Sequence, residues 1–186
     1  RENTEGEYAD VGARTDAGPA GDRALQTNVF TRRGCRRIIE AAFELAAGRR
    51  HHVTSITKSN AQRYSMVLWD EVFWEVAARH PEIGTASLLV DAAAMEMVRR
   101  PSRFDVVVAS NLFGDILSDL AAAVTGSLGL APSANLDPSR AGPSMFEPVH
   151  GSAPDIAGRG IANPIAAVLA GAMMLDHLGE VGAARR

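Results

Sequence analysis

Three short apolar, β-branched runs, Val53 to Thr57, Ser87 to Val90 and Phe104 to Ala109, stand between segments whose apolar residues recur at helical spacing, and no other feature constrains the fold as strongly. Strands alternating with helices indicate an α/β protein. A first helix, capped by Thr31, carries Ile38, Ala42, Phe43, Leu45 and Ala46 on one stripe and stops at Gly48. A second runs from Met66 to Arg79 and ends ahead of Pro81; Ala92 to Arg99 and a segment through Ile116 and Leu120 supply two more. Asn163 and Pro164 provide an N-cap and a first-turn proline for a last helix, which Gly179 ends. Residues 9 to 30 read as an extended or irregular arm. Residues 126 to 160, rich in Gly, Pro, Ser and Asn, read as a long loop region with turns, and loops of that length are usually functional.

A chain of 186 residues makes one ordinary domain or parts of two. Its 19 Lys+Arg against 22 Asp+Glu give a net charge of -3, and no basic stripe with interleaved aromatics argues for a nucleic-acid partner. The longest strongly apolar stretch, Pro164 to Leu175, is too short to span a bilayer, so no membrane association is expected. Cys35 is alone, which excludes an intrachain disulfide and fits a reducing, cytoplasmic setting. A chain that opens on Arg1, with no basic and apolar leader, is expected to lack an N-terminal part of a longer protein.

Asp115 and Asp119, four apart at the start of a helix, project from one face near the end of a buried strand. Carboxylates there suit a hard cation such as Mg²⁺ or Mn²⁺. Spacing alone favours a plainer reading, two solvated acids beside a helix N-terminus, where negative charge is stabilised anyway. Asp91 shifts the balance, because it also follows an apolar strand, and open α/β sheets gather ligands at strand carboxyl ends. Lys58 follows Val53 to Thr57 in the same topological position and is either a base beside a bound substrate or an ordinary solvated turn lysine. Tyr8 is a proton donor or a rim aromatic; Arg1 is a fork for a substrate carboxylate or a surface cation.

The segment His150-Gly151-Ser152-Ala153-Pro154-Asp155-Ile156 combines small residues, which let backbone N–H groups approach a ligand, with one carboxylate able to accept from two ribose hydroxyls. That carboxylate would repel a 2′-phosphate and so favours NAD over NADP. A tight structural turn is the alternative. Gly158-Arg159-Gly160 has neither a third glycine nor a preceding strand, so a Rossmann fingerprint is rejected. A nucleophile elbow, a zinc spacing and a P-loop are all missing from the sequence.

Asn111-Leu112-Phe113-Gly114-Asp115-Ile116-Leu117-Ser118-Asp119 and Glu147-Pro148-Val149-His150-Gly151-Ser152-Ala153-Pro154-Asp155-Ile156 resemble the motifs of the β-decarboxylating dehydrogenases, the isocitrate/isopropylmalate dehydrogenase superfamily. Arg1-Glu2-Asn3-Thr4-Glu5-Gly6-Glu7-Tyr8, Val29-Phe30-Thr31-Arg32-Arg33-Gly34 and Ala131-Pro132-Ser133-Ala134-Asn135 look most like the tartrate/D-malate branch. Val90-Asp91-Ala92-Ala93-Ala94-Met95 looks more like the isopropylmalate and isocitrate pattern. The resemblance implies an isopropylmalate dehydrogenase-like, non-Rossmann fold: an arm-bearing dimer domain with the metal site over residues 1–128, and over 129–186 the C-terminal part of a nucleotide domain. It implies metal ligands Asp91, Asp115 and Asp119, with Asp91 and Lys58 reaching into the site of a neighbouring subunit of a homodimer. It further implies Lys58 as base, Tyr8 as proton donor, Arg1 on the substrate carboxylate, Asn60 near the nicotinamide, and His150 to Ile156 with Asn163 around the adenosine. The expected reaction is NAD-dependent oxidation and decarboxylation of a 2-hydroxy acid, D-malate or tartrate first, isopropylmalate or isocitrate second. A regulatory subunit or inactive fragment is the non-catalytic alternative.

Overall fold

The computed structural model describes residues 1–16, 18 and 21–185 and divides into two compact units, Arg1–Ser118 and Asp119–Arg186. The first opens on an antiparallel ribbon of β1 (Gly6–Asp16) and β2 (Asp22–Val29), which pair in register from Val11 opposite Thr27 to Asp16 opposite Asp22, with an irregularity between Gly6 and Val11. Nearly every residue of this ribbon is exposed. The expected arm is therefore a two-stranded antiparallel ribbon, whose strands lack the alternating apolar pattern because neither face meets a core.

A parallel sheet follows in the order β4-β3-β5, from β3 (His52–Thr57), β4 (Gly84–Leu89) and β5 (Val106–Val108). β3 lies between its neighbours and is buried from Val53 to Thr57, as a strand covered on both faces must be. The helices α1 (Arg32–Ala47), α2 (Ser65–Ala77) and α3 (Val90–Arg99) pack on it. Ile39, Phe43, Val53, Ile56, Met66, Trp69, Val72, Phe73 and Val76 are 0–1% exposed and form the core. Within it the Trp69 indole donates to Ser55 Oγ at 2.9 Å, which satisfies both buried polar groups. Cys35 is buried, and burial, then the charges of Glu5 and Glu2, pushes its thiol up to about 12.

Several boundaries differ from the sequence expectation. α2 stops at Ala77 rather than Arg79, and Val90 and Asp91 belong to the first turn of α3 instead of ending a strand. Thr31 does cap α1, accepting from Gly34 N at 2.9 Å. The helix after β5, α4 (Asn111–Val124), carries the division between the two units.

The second unit holds the antiparallel pair β6 (Pro132–Asn135) and β7 (Met145–Pro148), against which α5 (Ile165–Leu178) packs; α6 (Val181–Ala184) follows. The region expected to be loop throughout thus contains a short strand pair, hidden in the sequence because Pro132 and Pro148 occupy its two ends. Asn163 Oδ1 accepts from Ile165 N at 3.0 Å, and Gly179, at φ 90°, terminates α5. Among the described residues no helix is long and apolar enough to cross a membrane.

Candidate active site

The sheet order explains how residues far apart in sequence meet. β3 and β4 run parallel with Thr57 opposite Leu89, so the residues just beyond, Lys58 and Asp91, emerge side by side at the carboxyl ends of the strands. Lys58 Nζ donates to Asp91 Oδ1 at 2.5 Å. That bond, helped by the Asp91 backbone N–H, holds the Asp91 carboxyl below its ordinary range. Asn60 is exposed in the turn after β3.

A second group forms at the N-terminus of α4, which follows β5, the strand on the other side of β3. The chain from Arg1 to Glu7 lies against this helix start: Glu2 N donates to Ala109 O at 3.1 Å, and Glu7 accepts from Ser110 Oγ at 2.6 Å and from Leu112 N at 3.1 Å. The Glu7 carboxylate therefore satisfies one orphan donor of α4, the Leu112 N–H, and places its charge at the helix N-terminus. Arg1 Nη1 pairs with Asp115 Oδ1, and the Tyr8 hydroxyl donates to Asp115 Oδ2 at 2.9 Å. The bond to Asp115, then burial and the charge of that carboxylate, raises the Tyr8 hydroxyl above its usual range and keeps it protonated. The Arg1 guanidinium lies 5.6 Å from the centroid of the Tyr8 ring. Asp119 is exposed on α4, four residues beyond Asp115.

The structure thus joins Lys58 to Asp91, and Arg1 and Tyr8 to Asp115. It does not join the two groups into one cluster: among the described residues no three His, Cys, Asp or Glu side chains come together as a metal site. Sequence reasoning missed Asn111 and Glu7. Asn111 accepts from Arg1, 110 residues away, and Glu7 caps a helix more than 100 residues away, so nothing local marks either role.

In the second unit a pocket of about 460 Å³ is lined by Ser127, Gly129, Asn163 and the loop from His150 onward. His150, Gly151, Ser152, Ala153 and Ile156 all face it; Pro154 and Asp155, on a single 3₁₀ turn, are not among its lining residues. Ala153 adopts φ 43°, a left-handed conformation that bends the loop around this hollow.

In the first unit, acids and a lysine stand where open α/β sheets gather ligands, and the second unit by itself holds a loop-lined hollow of the kind that takes small molecules. Over residues 1–186 the chain matches the family described as isocitrate/isopropylmalate dehydrogenase, and it belongs to that family. It is 58% identical over 181 residues to the D-malate dehydrogenase (decarboxylating) of Escherichia coli strain K12, covering 97% of this chain and 50% of that one. To the probable tartrate dehydrogenase/decarboxylase of Bacillus subtilis strain 168 it is 56% identical over 180 residues, 97% of this chain and 51% of that one. The crystal structure of isocitrate dehydrogenase from Methylococcus capsulatus superposes with a TM-score of 0.88 at 46% identity, covering 98% of this chain and 53% of the other. The fold is therefore isopropylmalate dehydrogenase-like, and the chain spans about half the length of the relatives it matches.

Proposed function

We propose that these residues serve the NAD-dependent, divalent-metal-assisted oxidation and decarboxylation of a 2-hydroxy acid of the D-malate or tartrate type. The observation that carries the reading is the pairing of Lys58 with Asp91 at the ends of β3 and β4, alongside a separate Arg1, Tyr8 and Asp115 group at the head of α4. Its substrate class follows the relatives named as D-malate and tartrate dehydrogenases.

The donor set fits a hard cation. Asp115 and Asp119 are carboxylates one helical turn apart, a chemistry suited to Mg²⁺ or Mn²⁺; in this structure Asp115 is paired with Arg1 and Tyr8, contacts that a cation would replace or share. Asp91 is engaged with Lys58 instead, and we place this pair in the site of a second copy, so that Asp115 and Asp119 of one chain meet Asp91 of the partner subunit. The exposed ribbon β1–β2 supports a homodimer, since an isolated two-stranded hairpin is marginal in water and gains stability when covered. In this reading residues 1–128 carry the dimer contacts and metal site, and 129–186 contribute to the nucleotide site.

Asp115 and Asp119, with Asp91 of the partner subunit, would hold the cation, which would supply Lewis-acid chemistry to the hydroxy acid, and the second unit would hold NAD, which would supply the hydride acceptor. Arg1 grips a substrate carboxylate through its guanidinium. Lys58, positioned by Asp91, takes the hydroxyl proton through a water only after it has left that ion pair and released its own proton to solvent, and Tyr8, kept protonated beside Asp115, gives a proton to the carbon from which CO₂ has left and regains one from solvent. Asn60 lies toward the nicotinamide. The 150–156 loop and Asn163 bind the adenosine, with His150, Gly151, Ser152, Ala153 and Ile156 lining the pocket. The Val90 to Met95 segment favours isopropylmalate or isocitrate as the second reading of the substrate.

The test is NAD reduction by the full-length protein with D-malate, tartrate, isopropylmalate and isocitrate, each with Mn²⁺. Turnover of D-malate or tartrate with loss of CO₂ is expected, and no turnover with any of the four would remove the reading.

A further inference from the structure

We infer that Asn111 is a positioning residue that sets the Arg1 guanidinium for the substrate carboxylate, an assignment that rests on the reaction proposed above. Asn111 is 4% exposed, and its Oδ1 accepts from Arg1 Nε at 3.1 Å and from Nη2 at 2.9 Å, so one amide oxygen occupies one whole edge of the guanidinium. Its Nδ2 donates to Glu5 O at 3.1 Å, which fixes the amide orientation with the oxygen toward Arg1. The backbone carrying Asn111 is itself held, because Glu7 bonds Ser110 Oγ on one side and Leu112 N on the other.

Two further contacts complete the seat. The Tyr8 ring stands beside the guanidinium at 5.6 Å, and the Arg1 stem lies so close to the first turn of α4 that a Cβ on Gly114 would come within 2.8 Å of Arg1 Cβ and Cγ. Asn111, Gly114 and Asp115 sit at i, i+3 and i+4 of α4 and therefore share the face on which Arg1 rests. Only Nη1 and the outer edge of the guanidinium stay available. In this structure Nη1 bonds the Asp115 carboxylate, the same chemical group that a hydroxy acid would present. An arginine boxed on three sides by a buried amide, an aromatic ring and a glycine turn loses little freedom on receiving a carboxylate, which is what preorganised recognition requires.

A double-mutant cycle tests the assignment in the full-length enzyme, with D-malate or whichever hydroxy acid the parent turns over. Asn111→Ala is expected to raise the KM of the hydroxy acid about tenfold or more while kcat falls less than about threefold and the KM of NAD is unchanged. In an Arg1→Ala background the same substitution should leave KM unchanged, because the residue it positions is gone. The isosteric Asn111→Asp keeps the helix start and serves should the alanine variant fail to fold. Its added charge offsets that of Arg1 and is expected to raise KM likewise, again only when Arg1 is present. Equal KM increases with and without Arg1 would overturn the assignment while leaving the reaction intact. A parent protein that turns over no hydroxy acid would overturn both.

Discussion

Glu2 keeps its charge in a place where burial alone would remove it. The residue is 2% exposed, and that burial pushes its carboxyl upward, but bonds from Thr4 Oγ1 at 2.6 Å, Thr4 N at 2.8 Å and Arg37 Nη2 at 2.9 Å outweigh it and leave the pKa below its ordinary value of 4.5. A carboxylate whose folded pKa is depressed contributes stability above its unfolded pKa and loses that contribution as pH falls through the folded value. Glu2→Gln should therefore destabilise the protein by about 1–3 kcal/mol near neutral pH. The difference from the parent should shrink steadily as pH drops below 4.5, which urea denaturation of both proteins across that range would read. A constant difference at all pH values would mean that Glu2 acts through its shape and not its charge. The same residue ties the Arg1 to Thr4 segment to α1, so it supports the position from which Arg1 reaches α4.

Among the elements, the ribbon β1–β2 depends on a close approach of its strands. A Cβ added at Gly12 would overlap the carbonyl oxygen of Leu25 on β2, so Gly12→Ala must splay the pair. Because the ribbon packs on little else among the described residues, the outcome expected from the proposed homodimer is weaker self-association in sedimentation velocity, with unfolding of the core changed by less than about 0.5 kcal/mol. The helices α1 to α5 and the parallel strands were legible in the sequence, since buried strands concentrate Val, Ile and Leu and surface helices keep one apolar stripe. β1, β2, β6 and β7 were not, because exposed or proline-ended strands carry neither signal. The candidate site was legible in its residue types but not in its grouping. Lys58 meets Asp91 through the β3–β4 register, and Arg1 meets Asn111 through packing of the chain start on α4; both are products of topology. Asp155 shows the converse, a carboxylate singled out by its motif that the structure leaves outside the lining of the neighbouring pocket.

At the scale of the whole molecule, the proposed reaction requires each active site to draw Lys58 and Asp91 from one subunit and Arg1, Tyr8, Asp115 and Asp119 from the other. The two groups are already built separately within a single chain, each with its own internal bonds, and a two-fold dimer would bring each against its complement twice. Subunit complementation addresses this directly. Full-length Lys58→Ala and Asp115→Asn proteins, each expected to be inactive alone, would be co-expressed with different tags, and the heterodimer purified and assayed for NAD reduction with D-malate and Mn²⁺. If the site is shared, one of the heterodimer's two sites receives both intact residues and the activity returns to about half that of the parent dimer. If the site lies within one chain, both sites stay defective, and a heterodimer as inactive as either variant would contradict the account.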